Sequence, residues 1–292
     1  MLGNRFSEYD SPEELIDHTT ELIIRLRIIA LTFALTILGI LFIPISWLVL
    51  DFNAEYRPII LDALDFILTW STSDINDTNF QISVGSPLAI ISQLFILAIL
   101  IAFVIDWPFI VYQMYLFASP GLYPYEQNII RKLTYAATGL FLLGAFFGFQ
   151  LMPVVTKTLV GLADLLEFEK LVQIYNLGDV IEFLLWNVIA TGLVFTYPIL
   201  IIGLVFSGML SVEDLQKRRR HVMAALFGIT AIITPDPTPI SMIVLTIPLL
   251  FLYELTINFS YKIEHSPDFT QFRNRVKKQV EVSQKNLLEY GN

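Results

Sequence analysis

The sequence predicts an all-α, polytopic integral membrane protein with six transmembrane helices, both termini cytoplasmic and spans five and six short. Composition is the first observation behind this. The chain has 292 residues, 55% of them hydrophobic and only 15% charged, which is too apolar for an ordinary soluble domain of that length. A set of long apolar runs separated by polar connections is the second. The third is the distribution of Lys and Arg. Of 18 basic residues, 15 fall in the N-terminal segment, the loops after spans two and four, and the tail. The alternate connections hold Arg57, Lys157 and Lys170. Basic residues gather on the cytoplasmic side, so the count sets the orientation.

Residues 1 to 27 read as a cytoplasmic amphipathic helix. Ser11, Pro12 and Glu14 supply an N-cap, a first helical residue and a capping acid, and Glu21 and Arg25 stand one turn apart, a spacing that supports a surface ion pair. The membrane domain then occupies residues 28 to 260. Its first span, 28 to 50, follows a segment too acidic for a cleaved signal peptide. Asp51 to Gly85 carries six acids and one base, and inside it PIILDALDFIL is too short to span and reads as a helix lying on the outer membrane surface or capping the bundle.

Span two, 87 to 118, has about 30 residues and a length of roughly 45 Å, against a hydrocarbon core of about 30 Å. It must tilt, kink or project, and Pro108 marks a kink. Ser119, Pro120 and Gly121 stop it. Span three, 133 to 152, carries Gly139, Gly144 and Gly148 for close helix approach, with Pro153 after it. Span four, 180 to 210, holds a second kink at Pro198. Ser211 opens another capped helix that carries Lys217 to Arg220. Span five, 222 to 234, is about 20 Å long, the TPDPTP turn follows, and span six covers 240 to 259. Residues 261 to 292 form a polar cytoplasmic tail.

Several chemistries are excluded. The chain has no cysteine, so disulfides, thiol catalysis and thiolate metal sites are absent. His18, His221 and His265 all fall in cytoplasmic segments, leaving no histidine in a span for zinc or proton relay. No H-E-x-x-H or P-loop pattern occurs. No catalytic centre, cofactor or metal is expected, and a net charge of −9 argues against nucleic acid. The polar residues near membrane depth are Asp106, Gln113, Gln150, Glu182, Asn187 and Glu254, each costly there and each facing a partner or a cavity. Asp106, Glu182 and Glu254 leave an alternative open, a proton-coupled small-molecule transporter.

Seven stretches then occur in order over about 240 residues. They are H-x-x-E-L-x-x-R-L at His18 to Leu26, Ser86-Pro87, and Y-Q-x-x-x-F-x-x-P-G-L-Y-x-x-E at Tyr112 to Glu126. After these come G-x-x-F at Gly144 with Pro153, L-x-x-R-R at Leu215, Thr234-Pro235-Asp236, and P-L-x-x-L-Y-E at Pro248 to Glu254. Carrying them, the chain resembles the TatC family, the C subunit and signal-peptide receptor of the twin-arginine protein translocase. The resemblance implies a receptor in the cell membrane, with N and C termini inside. Such a receptor binds the twin-arginine signal peptides of folded precursors and recruits small single-span subunits of TatA and TatB type. It works as a homo-oligomer within a translocase in contact with membrane lipid, and export uses the proton-motive force.

Residue by residue, the resemblance places Glu21 and Glu126 at the family's two acidic signal-peptide positions and Arg25 at its second N-terminal arginine. Ile23 departs from the basic residue many members carry. Thr196 stands where the family has a glutamate, in Phe195-Thr196-Tyr197-Pro198, so the intramembrane polar contacts to partner helices fall to Gln113, Thr196 and Glu254.

Overall fold

The computed structural model describes residues 12–44, 56–73, 75, 80–83, 86–119, 124–165, 173–206, 209–233 and 239–265. Ser11, most of the TPDPTP turn and the tail beyond His265 lie outside them. The chain forms two compact units, Met1–Thr196 and Tyr197–Asn292.

In the first unit, α1 (Pro12–Phe42) runs as one helix through both the amphipathic segment and the first span. It ends eight residues before the expected boundary. Pro44 follows closely, and a proline cannot donate the next helical hydrogen bond. The short helix α2 (Ile59–Ser71) starts where Ile59 N–H donates to Ile43 O at 3.0 Å. Its far end reaches α4, because Trp70 Nε1 donates to Phe149 O at 3.2 Å and the Trp70 ring stacks on Phe149 at 5.7 to 5.9 Å together with Phe66. α2 thus lies across the bundle, as its amphipathic pattern predicts, with Ile60 and Ile67 buried.

The longest elements are α3 (Pro87–Ala118) and α4 (Pro124–Leu165). Ser86 caps α3, its hydroxyl accepting from Ala89 N–H at 3.2 Å with Pro87 at the first helical position. Pro108 sits inside α3 without ending it. Pro153 does not end span three either: α4 continues twelve residues beyond it. Burial accounts for the continuation, since Val155, Thr156 and Val160 pack inside and hold the turn that a proline weakens. α5 (Leu177–Phe195) is capped by Asn176 and packs along α4.

This α4–α5 seam is tight. A Cβ on Gly144 would meet Phe195 Cβ at 2.6 Å, and one on Gly148 would meet Val188 Cα at 3.0 Å. Two strands not foreseen from sequence, β1 (Phe80–Ser83) and β2 (Gln173–Asn176), pair in parallel with Phe80 opposite Gln173. They tie together the two connections at one end of the unit, the sheet end. The opposite end, where α3 passes to α4, is the turn end.

The second unit contains α6 (Tyr197–Phe206), α7 (Val212–Lys217), α8 (Arg219–Ile233) and α9 (Pro239–Glu264). α9 packs against the other three. Among the described residues, five stretches are long and apolar enough to cross a membrane: Thr19–Phe42, Leu88–Ala118, Gln127–Thr158, Leu177–Phe206 and Met242–Lys262. The fourth is interrupted at Thr196, a turn residue one position before Tyr197-Pro198. At 15 residues, or about 22 Å, α8 is shorter than a hydrocarbon core of about 30 Å.

Candidate functional site

At the turn end, α1 presents Glu21 and Arg25 on one face, one turn apart. The Arg25 guanidinium donates to Glu21 Oε1 through both Nε, at 3.0 Å, and Nη2. Its remaining arm, Nη1, donates to Gln113 Oε1 on α3 at 3.4 Å. Arg25 therefore does more than form the surface pair its spacing predicts, because it fastens α1 to α3. Both of its contacts to Glu21 fall on a single oxygen. Glu21 Oε2 bonds to no described residue, and the side chain is 33% exposed.

Gln113 is buried, and six residues beyond it α3 reaches Ser119. There Gln127 Nε2 donates to Ser119 O at 2.9 Å, which holds the first turn of α4 against the last turn of α3. Glu126 occupies that first turn of α4, next to Gln127; its side chain lies outside the described atoms. Both acid-bearing elements are thus tied to one end of α3: α1 through Arg25, and α4 through Gln127.

Deeper in the same seam, Thr36 Oγ1 donates to Asp106 Oδ1 at 2.9 Å. Asp106 is buried, and its Oδ2 bonds to no described residue. On α5, Asn187 and Thr191 are also buried with their polar side-chain atoms unpaired among the described residues. Gln150 and Glu182, by contrast, are exposed.

Within the second unit, Glu254 on α9 forms an ion pair with Arg219 at the start of α8. Beside it, Tyr253 Oη donates to Leu215 O at 2.9 Å, and Thr230 and Thr246 hydroxyls meet at 2.8 Å. Thr196, at the end of the first unit, turns its hydroxyl back to Leu193 O at 2.6 Å. The site residues read from sequence thus divide. Glu21, Arg25 and Gln113 meet, whereas Thr196 bonds within its own helix and Glu254 belongs to the second unit.

Thr36 and Arg219 were missed by sequence reasoning as specific partners. Arg219 stood in a basic run that was read for orientation alone. On α7, Ser211 Oγ accepts from Asp214 N–H at 3.1 Å and donates to Asp214 Oδ2 at 2.6 Å. That hydroxyl hydrogen bond, with Arg218 and Lys217 nearby, holds the Asp214 carboxyl below its ordinary value of 3.8.

Residues 17–248 match the family model described as Sec-independent protein translocase protein (TatC). The chain belongs to the TatC family. It is 30% identical to TatCy of Bacillus subtilis over 84% of this chain and 88% of that protein. With TatC of Deinococcus radiodurans it shares 31% identity over 84% and 85%. TatC of Halothiobacillus neapolitanus is 34% identical across 63% of this chain, an alignment that takes in 50% of that longer protein. Two crystal structures of a twin-arginine translocase receptor TatC, one of them in DDM, superpose with TM-scores of 0.58 and 0.60 at 27% identity. They cover 84% and 83% of this chain, and 98% and 99% of the solved chains. The protein is therefore a multi-pass, non-catalytic component of the Sec-independent translocase of the cell membrane.

Proposed function

We propose that the turn end of the first unit is a receptor surface for twin-arginine signal peptides, with Glu21 and Glu126 as the carboxylates that take the two guanidinium groups and Arg25 as the residue that positions Glu21. The observation that carries this is the three-way contact of Arg25. By spending its donors on Oε1 of Glu21 and on Gln113, it anchors the acid at the end of α3 and leaves Oε2 for a second guanidinium. A second guanidinium can donate a charge-assisted hydrogen bond to that free oxygen, while at a carboxylate with both oxygens open its fork makes two. In this reading α8 is a short fifth span, the protein crosses the membrane six times, and both termini and the turn end face the cytoplasm, in accord with the basic-residue count. The receptor recruits single-span partner subunits and, as part of the translocase, exports folded precursors at the expense of the proton-motive force.

Peptide binding to the detergent-solubilised protein tests the site. A charge-assisted hydrogen bond contributes about 1.5–3 kcal/mol. Glu21→Gln and Glu126→Gln should each weaken a twin-arginine peptide by about 10- to 100-fold, and a twin-lysine peptide should bind the unaltered protein less well. Unchanged affinity in both glutamine variants rejects the assignment.

A further inference from the structure

Two cavities flank α5, and their walls differ in kind. One, about 170 Å³, is lined by Leu185, Val188 and Ile189 together with apolar residues of α2, α3 and α4. A cavity with such walls stays dry. The other, about 240 Å³, lies at the sheet end, where Thr156 of α4, Tyr175 of β2 and Asp179 in the first turn of α5 bring polar groups into its wall. Asp179 is exposed, and the space has room for several waters.

To this second wall α5 also supplies Val180, Phe183 and Leu184. Residues three, four and seven apart share one helix face, so the next position in the row is Asn187. Four further on stands Thr191. Asn187 is 4% exposed and Thr191 0%, yet Asn187 Oδ1 and Nδ2 and Thr191 Oγ1 bond to no described residue. Asn187 is ten residues into the span Leu177–Phe206, about 15 Å, which is half-way through a hydrocarbon core of about 30 Å. Buried polar groups are satisfied by protein or by ordered water, and at this degree of burial water is the ligand small enough to reach them. Gly148 keeps room beside the hydroxyl, since a Cβ there would stand 3.2 Å from Thr191 Oγ1.

We infer that water enters the protein at the sheet end, passes from the polar cavity along this row of α5, and is bound at mid-span by Asn187 and Thr191. An amide that both donates and accepts, beside a hydroxyl that does the same, offers a water the two to four hydrogen bonds it needs. The inlet is distinct from the receptor surface, which lies at the opposite end of the unit. In the orientation proposed above the sheet end faces outward, so the inlet opens to the side from which protons return under the proton-motive force. That last step alone rests on the proposed function.

Because the chain has no cysteine, single introduced cysteines report water directly. Asn187→Cys and Thr191→Cys are compared in lipid nanodiscs with Leu185→Cys and Ile189→Cys, whose parent residues are as deeply buried on the dry flank. The probe is a small cationic methanethiosulfonate, which attacks a thiolate and therefore a thiol that water can reach. Positions 187 and 191 should react about tenfold or more faster than 185 and 189. Adding Val160→Phe, which narrows the polar cavity, should slow both. Equal rates at all four positions, no reaction at 187 and 191, or rates that ignore Val160→Phe would overturn the inlet. Asn187→Leu gives a second reading: loss of a water-bound amide should lower the thermal midpoint, whereas an unchanged or higher midpoint means that the amide was a dry orphan. Nanodiscs expose both faces, so these outcomes do not depend on orientation. Reaction from the cytoplasmic side alone in sealed vesicles would overturn the proposed orientation while the nanodisc rates still report the inlet.

Discussion

Two helix seams in the first unit run side by side and are built on opposite principles. The α4–α5 seam is closed by glycines: Gly144 and Gly148 let α5 approach until a single methyl group would collide with Phe195 or Val188. The α1–α3 seam is closed by polar side chains, through Arg25 to Gln113 and Thr36 to Asp106. In lipid, helices gain little from burying apolar groups against each other, so close packing and hydrogen bonds do the work. A glycine seam is specific in shape and holds by close packing. A polar seam holds as well and leaves acceptors over, such as Glu21 Oε2 and Asp106 Oδ2. The receptor surface proposed above belongs to the second kind.

Overfilling the glycine seam should have the largest effect. Gly144→Leu places its branch where Phe195 Cβ and Thr191 O already stand within 3 Å of an ideal Cβ. A cost of about 3 kcal/mol or more is expected, read as loss of a monodisperse, peptide-binding protein in detergent. If the variant stays as heat-resistant as its parent, α4 and α5 are not clamped here.

The polar seam should respond to half-removal. Thr36→Val leaves Asp106 buried with neither oxygen paired to a described group, at an expected cost of about 1–3 kcal/mol. Pairing it with Asp106→Leu removes both partners and should recover much of that loss, since two missing groups cost less than one orphan. Thermal denaturation of the two single variants and the double variant decides it. Additive losses would show that the hydrogen bond does not couple α1 to α3.

These seams also show what the sequence can and cannot convey. The cap at Ser211 was legible because a cap and its target lie three residues apart, and Gly144 and Gly148 announced a close approach before its partner was known, whereas Gly139, read with them, meets no neighbour. Arg25 and Gln113 are 88 positions apart, and nothing in either segment names the other. Arg219 and Glu254 were hidden in the same way, one inside a basic run and the other inside an apolar helix. The β1–β2 ladder joins two four-residue strands almost a hundred residues apart, each too short to show a period. Pro153 misled for a different reason. A proline's local cost is fixed, but burial of Val155, Thr156 and Val160 outweighs it. Family motifs named Glu21 and Glu126 as candidates, while the role of Arg25 as the fastener of α1 needed coordinates.

In the second unit a local signal can be tested at smaller scale. Ser211→Ala removes both the acceptor for Asp214 N–H and the donor to its carboxylate, and should lower stability slightly. Because that hydrogen bond holds Asp214 below 3.8, the stabilisation it gives is present above that pH. It is lost as pH falls through the lowered value. The gap in stability between the parent and Ser211→Ala should therefore narrow in strong acid to the share owed to the Asp214 N–H bond, which does not titrate; a constant difference would remove the carboxylate from the account.

The smallest expected effect is the sharpest control on the glycine seam. Gly139 lies on α4 five residues before Gly144, and a Cβ built there meets nothing within 4 Å. If glycine matters in α4 because α5 presses on it, Gly139→Ala has no neighbour to disturb, and the change should instead stabilise the helix by up to about 1 kcal/mol, because alanine restricts the unfolded chain and suits a helix better. Gly144→Ala, on the same helix and with the same propensity gain, should still destabilise. The difference between the two alanine variants removes helix propensity from the comparison and leaves the contact with α5. Equal effects of the two substitutions on the thermal midpoint would mean that glycine in α4 acts through backbone freedom and not through the seam. A third result is informative in its own right: a Gly139→Ala protein that is fully stable in detergent yet fails to assemble in membranes would mark this bare position as a contact with another chain, and would place that contact on α4.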